Sequence, residues 1–135
     1  MIVLDEEIHG PRLSQMIAAW YVGAVVSITT LRPHTHIQDE AIVTLLHSVS
    51  QPMFVTINVP DFWRVVAAHA DYAVICVDLP DWQVDELPTW LRAFLRMPNF
   101  RTKAARMGNV FCLRPSRIEY YAADRHIHTL TWPTS

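Results

Sequence analysis

The chain predicts an α/β fold, with a central, mainly parallel sheet and a short antiparallel extension at its C-terminal end. Three observations predict it. Short apolar runs alternate with segments of helical spacing, which is what parallel strands joined by crossover helices require. The runs Met53 to Ile57 and Ala73 to Val77 carry apolar side chains on both faces, as strands covered on both sides do. Acidic residues close the runs at Asp5-Glu6 and Asp78 and follow one at Asp61, where an open α/β sheet presents its carboxyl ends to ligands.

The elements follow in order. Ile2 to Asp5 reads as the first strand, and Pro11 suits the first turn of a helix to about Trp20 because its missing N–H is not needed there. Gly23 ends that unit. The β-branched run Val25 to Thr29 makes a second strand, and a loop through Pro33 leads to a helix opening near Gln38-Asp39-Glu40. Its Ile42, Leu45, Leu46 and Val49 fall on one stripe, and its acidic first turn suits the positive end of the helix dipole. After the third strand, Pro60-Asp61 starts a helix with Phe62, Val65, Val66 and His69 on one face. The fourth strand ends at Asp78, a turn passes Leu79-Pro80-Asp81, and a helix from about Asp85 to Arg96 turns Leu87, Leu91, Phe94 and Leu95 inward. A basic helical stretch, Arg101 to Met107, precedes the runs Asn109 to Arg114, Arg117 to Tyr121 and His126 to Trp132, which read as antiparallel strands.

At 135 residues the chain is a single domain, 1–135, with a core over about 1–108 and the strand extension over about 109–135. Its apolar runs are far shorter than a membrane span, and Met1-Ile2-Val3-Leu4-Asp5 lacks the basic region and long apolar segment of a signal peptide. A cytoplasmic protein with no membrane partner is expected. Cys76 and Cys112 each sit inside an apolar run and read as buried thiols, neither a disulfide nor a zinc clip.

The net charge of −2 conceals a polarity. Residues 1–88 carry 11 Asp and Glu against 3 Arg, or −8, whereas residues 89–135 carry 8 Arg and Lys against 2 acids, or +6. The basic third holds Arg92, Arg96, Arg101, Lys103, Arg106, Arg114 and Arg117, which reads either as a grip on phosphates or as a solvated helix face. Trp63, Trp82, Trp90, Tyr120, Tyr121 and Trp132 offer stacking surfaces for bases or, more simply, core and interface area. The pairs His34-x-His36 and His126-x-His128 present rings on one side of an extended chain, but no spacing supplies a third metal ligand. No Gly-rich phosphate loop and no nucleophile elbow is present.

The order Leu4-Asp5-Glu6 with Pro11-Arg12-Leu13, then Asp39-Glu40-Ala41-Ile42, then Val55-Thr56-Ile57-Asn58-Val59-Pro60-Asp61-Phe62 resembles the small PIN-like domains often found as toxins of prokaryotic toxin-antitoxin pairs. Those domains read Asp-Glu after strand one, Asp-Glu-x-Ile opening the second helix, and Thr-x-Asp-x-Asp-Phe after strand three. The resemblance covers about residues 1–78 and rests on short motifs. It implies a three-layer PIN-like fold and a metal-dependent endoribonuclease, with Asp5, Asp39 and Asp61 as the catalytic, metal-holding carboxylates for Mg²⁺ or Mn²⁺. Glu6, Glu40, Asn58 and Asp78 stand behind them as supporting groups. Arg12, Arg101, Lys103 and Arg106 are the expected RNA contacts, and a small antitoxin protein and a second copy of the chain are the expected protein partners.

One departure falls at a sensitive place. Asn58 stands where the family has an Asp, and Val59-Pro60 adds a residue before Asp61-Phe62. Asn offers a carbonyl oxygen without charge. Asp61 then either moves into the site or merely caps the following helix. The rival reading is accordingly a catalytically degenerate PIN-like module that binds RNA or protein without cleaving. A flavodoxin-like or receiver-like signalling domain shares the acidic strand ends but lacks a phosphoacceptor and lysine pair, Lys103 being the one lysine.

Overall fold

Alternating apolar side chains at 2–4, 53–56, 73–77 and 110–113 leave no solvent-facing side on these segments, and each becomes a buried strand of one sheet. The computed structural model describes residues 1–6, 8, 11–28 and 39–133. Seven strands form the sheet: β1 Ile2–Leu4, β2 Val25–Ser27, β3 Met53–Thr56, β4 Ala73–Val77, β5 Val110–Leu113, β6 Arg117–Tyr121 and β7 His128–Thr131. Their order is β2-β1-β3-β4-β5-β6-β7. The first five are mutually parallel, and β6 and β7 extend the edge antiparallel. The mainly parallel sheet with an antiparallel C-terminal end is as expected, but the run Asn109 to Arg114, expected among the antiparallel strands, supplies β5, which lies parallel beside β4, so the antiparallel extension begins only with β6.

Among the described residues five α-helices accompany it: α1 Pro11–Ala18, α2 Asp39–His47, α3 Val59–Phe62, α4 Leu87–Arg96 and α5 Lys103–Arg106. Side-chain alternation sorts the core into two clusters. Ile2, Leu4, Val55, Ile75 and Phe111 face α1 and α4, while Val3, Phe54, Val74, Cys76 and Cys112 face α2 and the segment around α3. The architecture is three-layered, helices on both faces of the sheet. Its parallel strand order, 2-1-3-4-5, is the flavodoxin-like doubly wound one, with the switch point between β1 and β3. The step from β4 to β5 runs over the α1 and α4 face, whereas the steps from β2 to β3 and from β3 to β4 run over the other. The β4 to β5 crossover therefore has the opposite hand to the other three, an uncommon arrangement for parallel strands.

Three expected helices are recut by packing. The helix expected from Pro60 to His69 stops after one turn: Trp63 is extended and Arg64 takes a positive φ of 63°. That break lets Trp63 pack on Tyr121, with ring centroids 5.2 Å apart, while Val66 accepts a hydrogen bond from the Tyr121 hydroxyl. In a continuous helix the Val66 carbonyl would be taken by the N–H four residues on and would not be open to Tyr121. Ahead of α4, residues Asp81–Glu86 form a 3₁₀ turn, so the α-helix begins at Leu87 and not Asp85. The basic stretch expected over Arg101 to Met107 holds only the short α5, after a 3₁₀ turn at Pro98–Phe100. Gly108, at φ 87°, makes the left-handed turn from α5 into β5 while its N–H bonds Tyr72 O.

Cys76 and Cys112 are buried free thiols, as expected. They are also register partners on β4 and β5, which their separation in sequence does not reveal. No helix among the described residues is long and apolar enough to cross a membrane.

Candidate functional site

β1 and β3 are neighbours, with Leu4 opposite Val55, so the next pair at their carboxyl ends is Asp5 and Thr56. Both are buried; Asp5 is 4% exposed and is the one buried carboxylate among the described residues. The Thr56 hydroxyl donates to Asp5 Oδ2 at 2.6 Å, and the Glu6 N–H donates to Oδ1 at 2.8 Å. The Thr56 oxygen in turn accepts the Asn58 N–H at 3.0 Å. Each Asp5 oxygen keeps a further lone pair. Burial raises the Asp5 pKa above the ordinary aspartate value; its two hydrogen bonds oppose that shift, and the charges of Glu6 and Asp61 add to it. The site therefore combines a desolvated carboxylate with two neighbouring negative charges.

The Asn58 and Asp61 alternatives resolve in an unexpected way. Asn58, not Asp61, is the N-cap of α3: its carbonyl accepts the Asp61 N–H, and its amide donates to Asp61 Oδ2 at 2.8 Å. Asp61 sits in the first turn of α3, exposed, held toward the carboxyl edge by that bond and close enough to act on Asp5. An apolar groove of about 470 Å³, lined by Val43 of α2 and by Pro60, Phe62, Val65 and Val66, opens beside it.

α2 connects β2 to the parallel β3, so it runs against the strands and its first turn, Asp39 and Glu40, opens at the carboxyl edge. The side chains of Asp39 and Glu40 lie outside the described residues, as do His34 and His36. Asp78, at the end of β4, accepts a hydrogen bond from Arg114 Nη1 at 3.1 Å, and Arg114 also binds Glu119. This ion-pair group occupies the β4 to β6 end of the same edge, two strands from β1. Asp78 is thus engaged with Arg114 and does not join Asp5.

Arg12 opens α1 at the carboxyl edge and pairs with Asp85 at 2.7 Å. The other expected RNA contacts fall elsewhere. α5 precedes β5, and Lys103 and Arg106 act electrostatically on the Met1 amino group, which places them at the amino edge of the sheet. A strand of this length separates the edges by about 10 to 13 Å. Arg101, Lys103 and Arg106 therefore do not flank Asp5 as the sequence led us to expect; β5 must start beside β4, and α5 is carried there with it. Arg106 is buried and donates to Phe100 O and Arg101 O, and its Nε has no partner. With Arg92, Arg96 and Arg101 it lines a groove of about 260 Å³ beside Trp20 and Tyr21.

A group that sequence spacing does not reveal lies at the same amino edge. His47, in the last turn of α2, meets His69 and Asp71 from the segment before β4, with ligand atoms within 4.8 Å of one another. His126 and His128 are exposed near and on the edge strand β7 and join no such group among the described residues. Residues 22 positions apart carry no sequence signal of proximity; only the α2 to β3 to β4 path brings them together. No protein-family model, curated protein or solved structure matches this chain.

Proposed function

We propose that this chain is a metal-dependent endoribonuclease of the PIN-like toxin type, hydrolysing RNA phosphodiesters at the carboxyl edge between β1 and β3. The observation that carries the reading is Asp5: a buried carboxylate, raised in pKa, beside two further acids at the switch point where doubly wound sheets bind ligands. Such a pocket is short of positive charge, and its donors are all hard oxygens, the set that suits Mg²⁺ or Mn²⁺. Asp5 and Asp61 would hold the ion, with Asp39 from the first turn of α2.

A bound Mg²⁺ or Mn²⁺ supplies Lewis acidity toward a phosphate oxygen and lowers the pKa of a coordinated water. Thr56 and the Glu6 N–H fix the Asp5 carboxylate, so that its free lone pairs keep one direction. Asn58 fixes Asp61 in the same way. Hydrolysis then proceeds in line: the water oxygen bonds to phosphorus as the bond to the leaving ribose oxygen breaks, and that oxygen takes up a proton. Arg12 would meet the phosphate backbone at this edge in exchange for its exposed pair with Asp85. The Arg92, Arg96, Arg101 and Arg106 groove would hold a distant stretch of the same strand. A cytoplasmic location, a small antitoxin protein and a homodimer belong to the same reading.

One observation favours the second reading, a degenerate module that binds RNA or protein. Asn58 brings no charge, and its amide is already spent on Asp61. Incubating the purified chain with single-stranded and structured RNAs in Mn²⁺, Mg²⁺ or chelator, beside Asp5→Asn, separates the two. Metal-dependent cleavage lost in the variant is expected; intact RNA in every arm leaves the binding module.

A further inference from the structure

We propose that His47, His69 and Asp71 form a second metal site, specific for a borderline transition ion such as Zn²⁺, at the edge of the sheet opposite Asp5. Asp71 Oδ2 lies 3.0 Å from His47 Nδ1 and 3.5 Å from His69 Nδ1. Ligand atoms on a tetrahedral ion with bonds of about 2.05 Å stand about 3.3 Å apart, and the two distances bracket that spacing. Without an ion His47 Nδ1 is bonded to Asp71 Oδ2 and His69 Nδ1 accepts the Asp71 N–H; with one bound, each Nδ1 would give its lone pair to the ion instead. Two nitrogens and one oxygen make a donor set suited to Zn²⁺, Co²⁺, Ni²⁺ or Cu²⁺, whereas the oxygen-only set around Asp5 suits Mg²⁺ or Mn²⁺.

The ligands are also held in place before any ion arrives. The His47 and His69 rings meet edge to face at 4.5 Å, and both pack on Tyr72, at 5.3 and 5.9 Å. Tyr72 is fully buried, and its hydroxyl donates to Ala67 O, closing the segment that bears His69 and Asp71. Leu46, beside His47, is buried under the sheet. Both ligand-bearing segments are thus anchored by core residues, which lowers the ordering cost of binding. Binding displaces two exposed hydrogen bonds, His47 Nδ1 with Asp71 Oδ2 and the Asp71 N–H to His69 Nδ1. Three protein ligands at an exposed position leave a coordination place for water or for a ligand from a partner.

Co²⁺ titration of the whole chain tests this, followed by visible absorption and by melting temperature. We expect the bands of four-coordinate Co²⁺, saturating at one ion per chain and bleached by Zn²⁺, with a higher melting temperature in Zn²⁺. His47→Gln and His69→Gln each abolish the bands while their circular dichroism without metal matches the parent chain, and Asp5→Asn leaves the bands unchanged. Bands that persist in both histidine variants, that vanish in Asp5→Asn, or that never appear would each overturn the site. In the last case the triad is a hydrogen-bonded bracket and nothing more.

Discussion

The Thr56 hydroxyl donates a 2.6 Å hydrogen bond to Asp5 Oδ2 across 51 residues of sequence, inside the protein. This bond joins the ends of β1 and β3 and holds the one buried carboxylate among the described residues in a single orientation. Thr56→Val keeps the volume and removes the donor, leaving both Asp5 and the Asn58 N–H short of a partner. We expect a loss of about 1.5 to 3 kcal/mol in urea denaturation at pH 7, since the bond is made to a charged group. The loss shrinks where Asp5 is protonated. An unchanged midpoint at pH 7 would contradict the assigned role.

Asp5 also sets a pH dependence whose sign follows from its raised pKa. Below the ordinary aspartate value the carboxyl is neutral in both folded and unfolded chains and costs nothing. As pH climbs from there through the raised folded value, the unfolded chain ionises first and the native state loses stability; above it the loss is constant. Asp5→Asn cannot ionise, so its melting temperature should exceed the parent's by a few degrees at pH 7, with the gain fading toward the acid side. On the proposed reading the same variant loses metal-dependent RNA cleavage. A variant less stable than the parent at pH 7 would show that the carboxylate is not under strain.

Asn58→Asp adds, on the proposed reading, a ligand charge at the carboxyl edge. Without metal it replaces the amide donation to Asp61 by repulsion between two carboxylates, at a cost of about 1 kcal/mol. With Mn²⁺ it should bind more tightly and melt higher than the parent, because each added ligand charge favours a hard cation. Calorimetric titration checks this; equal or weaker Mn²⁺ affinity counts against a metal at Asp5 and Asp61.

Cys76 and Cys112 should resist alkylation in the native protein. Burial raises both thiol pKa values, that of Cys112 to about 12, so thiolate is scarce at pH 8. Both thiols should react with a chromogenic disulfide in denaturant and neither without it. Rapid native labelling of either one would mean that the α2 face opens.

The strands and the parallel sheet were legible because each depends on local pattern. Apolar runs at Met53 to Val55 and Ala73 to Val77 have no stable home except a strand covered on both faces. Asp5 was legible for the same reason: the carboxyl end of a short buried strand has one place to go in such a sheet. The helix expected after Pro60 was not, since the Trp63 contact with Tyr121 outweighs helical spacing that is sound by itself. Tertiary contact overrides propensity of about 1 kcal/mol or less per residue.

Local periodicity thus determined which segments are strands, which faces they bury, and that acids gather where the strands end. Which charges share an edge was decided only by the path of the chain. Strand order put Asp78 with Arg114, carried Lys103 and Arg106 to the far edge, and drew His47 against His69 and Asp71. Side-chain period encodes the face a residue points to; nothing in that period encodes the neighbour across a crossover, because that neighbour is chosen by the packing of the whole sheet.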